Sequence, residues 1–309
     1  MTLACITGST GFIGGHLCEQ LVARSVAIRT SHSGSRVSAV FADLVKRSES
    51  ELATALEGVD VVYHLAGIAH EGTKDANQAD FHEVNRDLTL RLFRAAVLAR
   101  VKTYVWLSSL KVLGDVSEAP FGLDAPYRPQ GFYAKSKAQA EQALLETPAQ
   151  ATDLVIVRPP LVYGPNVKGN FHRLLRLCAT PLPLPFKAAT ARRSMVGVDN
   201  LVSLLMHVCD NGGDPESPIV HVRDAKEWRV SGLVEELRRL LGQPDRQFRV
   251  RDNTFRALAK ALHRETLASR LIDPLRVDAS ESERRLGWKP ARPAGELLEE
   301  TVAWFQQQH

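Results

Sequence analysis

Residues 3–17 read LACITGSTGFIGGHL, and the fold turns on how that stretch is taken. A short apolar run, LACIT, leads into glycines at 8, 11 and 14, and an amphipathic helical segment follows directly. Glycine lets the backbone bend sharply and come close to a ligand. The helix opening behind it offers free amides and the positive end of its dipole to a phosphate. Strand, glycine turn and helix in this order read as the start of a βαβ unit that holds a pyrophosphate at the turn. Gly8, Thr10, Gly11, Phe12, Ile13 and Gly14 are the candidate contacts. The bland reading of the same spacing is a tight packing turn.

Working outward, apolar or β-branched runs alternate with amphipathic stretches. A helix over 12–24 is followed by VAIR (26–29), VVYHLA (61–66), a helix over 86–100, YVWLSS (104–109), a helix over 133–147 and LVIVRP (154–159). That alternation predicts an α/β fold with a Rossmann-type, doubly wound parallel sheet over residues 1–164. After Pro165 come a helix over 170–178, the proline-rich TPLPLPF (180–186), and SMVGV, PIVHV and FRVR with helices between. Residues 165–309 therefore read as a smaller, irregular substrate-binding lobe, with segments of 193–225 returning to the first.

The 309 residues with 44% hydrophobic content can bury one large core or two joined ones. Cys5, Cys18, Cys178 and Cys209 show no metal-ligand spacing, so no metal site is expected and the thiols read as reduced, in a cytoplasmic chain. No apolar run approaches 18 residues, which argues against a membrane span. The net charge of +4 is scattered rather than massed with aromatics, which points away from nucleic acid and toward an anionic small molecule.

A second element lies in GFYAKSKAQAE (131–141). Tyr133 and Lys137 are four apart, so a helix puts both on one face and the ammonium can lower the phenol's pKa. A phenol so tuned can exchange a proton with a hydroxyl or ketone. Ser108 and Ser109 end the YVWLSS strand, where a parallel sheet delivers side chains to its ligand crevice, and a hydroxyl there can hold the reacting oxygen. Taken singly, the pair reads as an amphipathic helix face and the serines as a turn cap.

Together these segments resemble the NAD-dependent epimerase/dehydratase family, the extended short-chain dehydrogenases/reductases that act on nucleotide sugars. The resemblance runs nearly end to end, through TGSTGFIGGHL (7–17), DVVYHLAG (60–67), VNRDLTLRL (84–92), WLSSLKVLGD (106–115), YAKSK (133–137), RPPLVYGP (158–165), NFHRLL (170–175), RRSMVGVDNL (192–201) and DASESERRLGWKP (278–290). It implies Ser109, Tyr133 and Lys137 as the catalytic set, with Lys137 also on the nicotinamide ribose. It further implies Asp43 and Leu44 by the adenine, Leu65, Ala66 and Gly67 along the cofactor, and Asn85 near it. Asn170, Phe171 and Arg193 would contact the nucleotide diphosphate of a UDP-linked sugar, with Arg270 placed more loosely as a second arginine. His70 is a candidate sugar contact, balanced against a surface loop histidine. Dimers of this family often pack two helices per subunit, and helices 86–100 and 133–147 have apolar surface for a homodimer or for the sheet.

Two departures shape the expected reaction. The 4-epimerase pattern RYFN becomes Arg158-Pro159-Pro160-Leu161, and the end of the second strand, SVAIRTSHSG (25–34), has no acid for the adenosine ribose. Ser31 and His32 can donate to a phosphate there and Arg29 can add charge, so NADP(H) is expected, with NAD(H) the alternative. The sequence therefore leans toward reduction with NADPH, and the subgroup it most resembles, which includes 4-keto reductases, implies a UDP-4-keto-6-deoxy-N-acetylhexosamine for surface polysaccharide as the substrate. The alternatives are a UDP-glucose or UDP-N-acetylglucosamine 4-epimerase retaining NAD and, from another class, a dinucleotide-sensing protein without catalysis.

Overall fold

The computed structural model describes residues 2–30, 38–39, 44–68, 77–214, 216–250 and 273–308. In chain order the first half carries β1 (Leu3–Thr7), α1 (Phe12–Ala23), β2 (Ala27–Thr30), β3 (Ser38–Ala39), α2 (Glu49–Ala55), β4 (Val61–His64), α3 (Gln78–His82), α4 (Leu88–Leu98), β5 (Thr103–Leu107), α5 (Gly131–Glu146) and β6 (Asp153–Arg158). The second half carries β7 (Leu161–Tyr163), α6 (Gly169–Cys178), β8 (Arg192–Arg193), β9 (Met195–Gly197), α7 (Val198–Asn211), β10 (Ile219–His221), β11 (Trp228–Arg229), α8 (Val230–Leu240), α9 (Ser280–Leu286) and α10 (Ala294–Gln307).

Seven strands form one sheet in the order β10-β6-β5-β4-β1-β2-β3, every adjacent pair parallel. The order reverses between β1 and β4, which opens a crevice at their C-terminal ends. Both faces are covered, so the strands read as continuous apolar runs rather than alternating ones. Ala4, Ile6, Val61, Tyr63, Val105 and Val157 pack on one face with Leu17 and Leu21 of α1 and Leu201, Leu205 and Val208 of α7. Cys5, Val62, Tyr104, Trp106 and Ile156 point the other way, against α2, α4 and α5 through Leu52, Leu92, Phe93, Ala140 and Leu144. A separate core lies between α6, α8 and α10, built from Phe171, Leu175, Trp228, Val234, Leu237, Leu298 and Phe305.

The expected helices over 12–24, 133–147 and 170–178 appear as α1, α5 and α6, each shifted by one or two residues at an end. The helix expected over 86–100 is entered through a π turn at Glu83–Asp87 before α4. FRVR forms no strand among its described residues. Phe248 instead makes a backbone bond to the oxygen of Leu184 at 3.0 Å. Ile219–His221, from PIVHV, pairs with Ile156–Arg158 at the sheet edge.

Candidate active site

Three strand ends meet at the crevice. After β1, Gly8 sits at φ +77°, where a Cβ would lie 2.7 Å from the backbone nitrogen of Ala66. Gly14 is packed so closely that a Cβ would come within 2.1 Å of the Gly8 oxygen. The turn closes with the Gly11 amide donating to that same oxygen at 2.9 Å. α2 and α3 have side-chain caps in Ser48 and Asn77, but α1 opens on Gly11 with no side-chain cap and no acidic residue in its first turn. Its amides are thus left for an anion. A cradle that any side chain would fill, beneath an uncapped helix start, fits a dinucleotide pyrophosphate. After β4, Leu65 and Ala66 are half-buried and Gly67 is exposed on the crevice.

The Leu65-Ala66-Gly67 loop is held from behind. Asn85, fully buried in the π turn, accepts from the Ile68 amide at 2.9 Å and donates to the Ile68 carbonyl at 3.0 Å and to Ser136 Oγ at 3.1 Å. Its side chain braces the loop by these bonds. A Cβ on Gly67 would strike its Oδ1 at 2.8 Å.

After β5, Ser109 takes an extended conformation, and its hydroxyl lies beside the Tyr133 phenol. Burial pushes the Tyr133 phenol up, and the neighbouring Ser109 offsets part of that rise. The expected ammonium-phenol contact is replaced by another arrangement. Lys137 Nζ donates to the Leu107 carbonyl at 2.9 Å and lies 4.6 Å from the centre of the Trp106 ring. Burial brings its pKa down to about 7, with the Glu141 carboxylate pulling the other way. Lys137 can therefore hold or release a proton near neutral pH.

Two buried networks behind these groups escape a reading of the sequence. Thr7 Oγ1 meets His64 Nδ1 at 2.6 Å, and His64 Nε2 meets Thr89 Oγ1 at 2.9 Å. Thr89 spends its hydroxyl proton on the Asn85 carbonyl, so His64 carries its proton on Nε2 and accepts from Thr7 on Nδ1. Burial, with Lys137 nearby, holds this imidazole neutral, its pKa lowered to about 3. The second network joins Glu141, Arg158, Ser108, Tyr127 and His221. The one sequence signal for it was the spacing of Glu141, four beyond Lys137 and eight beyond Tyr133.

Other expected contacts are placed differently. Arg29 Nη1 donates to the Ala55 and Glu57 carbonyls at 3.2 and 2.7 Å, so this charge is directed to the C-terminal end of α2 rather than held ready for a ribose phosphate. Phe171 is fully buried and stacks on Tyr163 with ring centres 5.4 Å apart, so its side chain belongs to the core. Asn170 is half-buried in the first turn of α6. Arg193 donates to the Asp273 carbonyl, and burial lowers its pKa to about 10. Leu44 starts a 3-10 turn and packs on the α2 side of the sheet. Ser31, His32, Asp43, His70 and Arg270 lie outside the described residues.

Residues 4–222 match the NAD dependent epimerase/dehydratase family. The chain belongs to it. A UDP-glucose 4-epimerase of Vibrio cholerae is 32% identical over 98% of this chain and 95% of its own length. The N-acetyl-alpha-D-glucosaminyl-diphospho-ditrans,octacis-undecaprenol 4-epimerase of Escherichia coli O157:H7 is 28% identical over 77% of this chain and 72% of its own. The fold matches the UDP-glucuronic acid 4-epimerase of Bacillus cereus, solved with NAD, at a TM-score of 0.78 and 19% identity over 99% of each chain. Membership makes this protein a nucleotide-sugar enzyme of the extended short-chain dehydrogenase/reductase type. Among the described residues no helix is long and apolar enough to cross a membrane, and no cluster of metal-ligating side chains occurs.

Proposed function

We propose that this family member is a UDP-sugar 4-epimerase that retains NAD, with Ser109, Tyr133 and Lys137 acting on the hydroxyl at position 4. The observation that carries the reading is the meeting of Tyr133 with Ser109 at the C-terminal end of β5, with Lys137 one helical turn behind the phenol and tied to the Leu107 carbonyl. A bound nicotinamide supplies a hydride acceptor and donor for the sugar carbon. Tyr133 takes the hydroxyl proton as the ketone forms and gives it back as the hydroxyl is restored, so the cycle needs no outside base. Ser109 holds the oxygen in both states. A protonated Lys137 favours the phenolate by its charge. The amides of the Gly8–Gly14 turn receive the pyrophosphate, and Arg193 with Asn170 receives the diphosphate of the sugar nucleotide.

Two observations support epimerisation over the reduction toward which the sequence alone leans. Arg29, the one described cation proposed for a ribose phosphate, is directed to the end of α2. The UDP-glucose 4-epimerase likeness extends over nearly both whole chains. Reduction of a UDP-4-keto-6-deoxy-N-acetylhexosamine with NADPH remains the second reading. It is favoured by Leu161 at the place of the epimerase asparagine and by a β2 that ends in Arg29-Thr30 without a carboxylate.

The test is incubation of the purified protein with UDP-glucose and with UDP-N-acetylglucosamine, no cofactor added, followed by proton NMR of the sugar. Interconversion at position 4, with NAD released on denaturation, is the expected result. NADPH oxidation with a 4-keto sugar nucleotide, and no interconversion, would overturn it in favour of the reductase. Tyr133→Phe should lower turnover by about 10²- to 10⁴-fold while leaving cofactor bound.

A further inference from the structure

Successive turns of α5 touch three consecutive residues at the end of β5. Tyr133 lies beside Ser109, Lys137 donates to the carbonyl of Leu107, and Glu141 accepts from the hydroxyl of Ser108. The first two belong to the site described above. The third has no part in the chemistry, yet it is the most heavily built. Glu141 is fully buried, and Arg158, 1% exposed at the end of β6, places Nε 3.1 and 3.0 Å from its two oxygens. Nη2 of the same arginine reaches Glu141 Oε2 at 2.5 Å and Tyr127 Oη at 2.9 Å, and that phenol donates back to Glu141 at 2.8 Å. On the far side His221 faces Arg158 Nη1 at 3.5 Å and the carbonyl of Asp278 at 3.2 Å. A guanidinium only donates and a carbonyl only accepts, so His221 is neutral with its proton on Nδ1.

Burying an ion pair costs desolvation that well-packed apolar side chains would avoid, so stability alone does not account for this one. Its placement does. β5 and β6 are tied beside it by the Ser108 amide on the Val157 carbonyl at 2.8 Å and the Leu110 amide on the Pro159 carbonyl at 2.9 Å. The height of α5 against the strand end is left to side chains, among them Lys137 on the Leu107 carbonyl and Glu141 on the Ser108 hydroxyl. We propose that Glu141, clamped by Arg158, is a positioning residue that sets the register between the helix bearing Tyr133 and Lys137 and the strand end bearing Ser109.

This rests on the roles given to those three residues under the proposed function. Lys137 is faced by Glu141 on its own helix, by the Trp106 ring on β5 and by neutral His64 from β4. Glu141 is faced by Lys137, Ser108, Tyr127 and Arg158, with His221 behind the arginine.

The experiment uses the whole protein with 3-fluorotyrosine in place of its 5 tyrosines, the Tyr133 signal being assigned by Tyr133→Phe. Fluorine NMR then follows the environment and ionisation of that phenol without any substrate. In the Glu141→Met/Arg158→Met double variant the Tyr133 signal should move and its titration midpoint shift by more than half a pH unit, with thermal stability equal or higher. Turnover should fall 10- to 100-fold in kcat, with KM for the sugar nucleotide within twofold. An unchanged signal and midpoint in a folded double variant overturns the proposal. If the double variant does not fold, Ser108→Ala, which keeps both charges paired, decides by the same signal. A wild-type protein that turns over neither sugar class defeats the functional reading, while the fluorine signal still decides the positioning role.

Discussion

At the residue scale, the site is assembled from groups whose ordinary chemistry is altered by burial. Lys137 is held near pH 7 where a free lysine titrates near 10.5, so the unfolded chain binds more protons than the folded one between those values. The lysine therefore opposes folding most fully below pH 7, and its cost shrinks as the pH rises toward 10.5. Lys137→Met should abolish turnover and raise Tm by a few degrees at pH 6.5, with a smaller gain at pH 9; scanning calorimetry at both pH values checks the sign. His221 moves in the same direction, lowered to about 4 by burial and by Arg158. Its contribution is complete above pH 6.5 and is lost as the pH falls toward 4, when the unfolded imidazole protonates and the folded one does not. His221→Gln, which can keep both contacts, should flatten the decline of Tm between pH 6.5 and 4.

At the scale of elements, the glycine turn and α5 carry the site, and their legibility differed for a physical reason. Gly8, Gly11 and Gly14 and the Tyr133–Lys137 pair are spacings within one element, so local rules reveal them. Glu141, Arg158 and His64 carry no local signal of their roles because their partners lie far along the chain: Ser108 is 33 residues from Glu141, and His221 is 63 from Arg158. The burial of the Phe171 side chain on Tyr163 is hidden for a related reason, being a tertiary fact that its NFHRLL setting does not show. The turn allows a paired test. Gly8→Ala meets both a positive φ and the Ala66 backbone, whereas Gly58→Ala meets a φ of +74° with nothing within 4 Å. Denaturant midpoints should place the Gly58 variant about 1 kcal/mol below wild type and the Gly8 variant at the upper end of the roughly 1–3 kcal/mol range for backbone strain, or beyond it, with cofactor lost as well.

Across the whole molecule, the sheet is completed by chain that arrives late. β10 covers the edge of β6, and α7 supplies Leu201, Leu205 and Val208 to the core under β1 and β4. A fragment of residues 1–164 lacks both, and should bind the dye ANS and lose near-ultraviolet circular dichroism although it contains the glycine turn and all three proposed catalytic residues. One feature of the finished site also has an optical meaning. The Trp106 indole lies beneath the ammonium of Lys137, and a charge beside an indole shifts its emission. With Trp228, Trp288 and Trp304 changed to phenylalanine, the remaining tryptophan becomes an internal voltmeter, its colour tracking the charge of the lysine as pH, cofactor and sugar are varied.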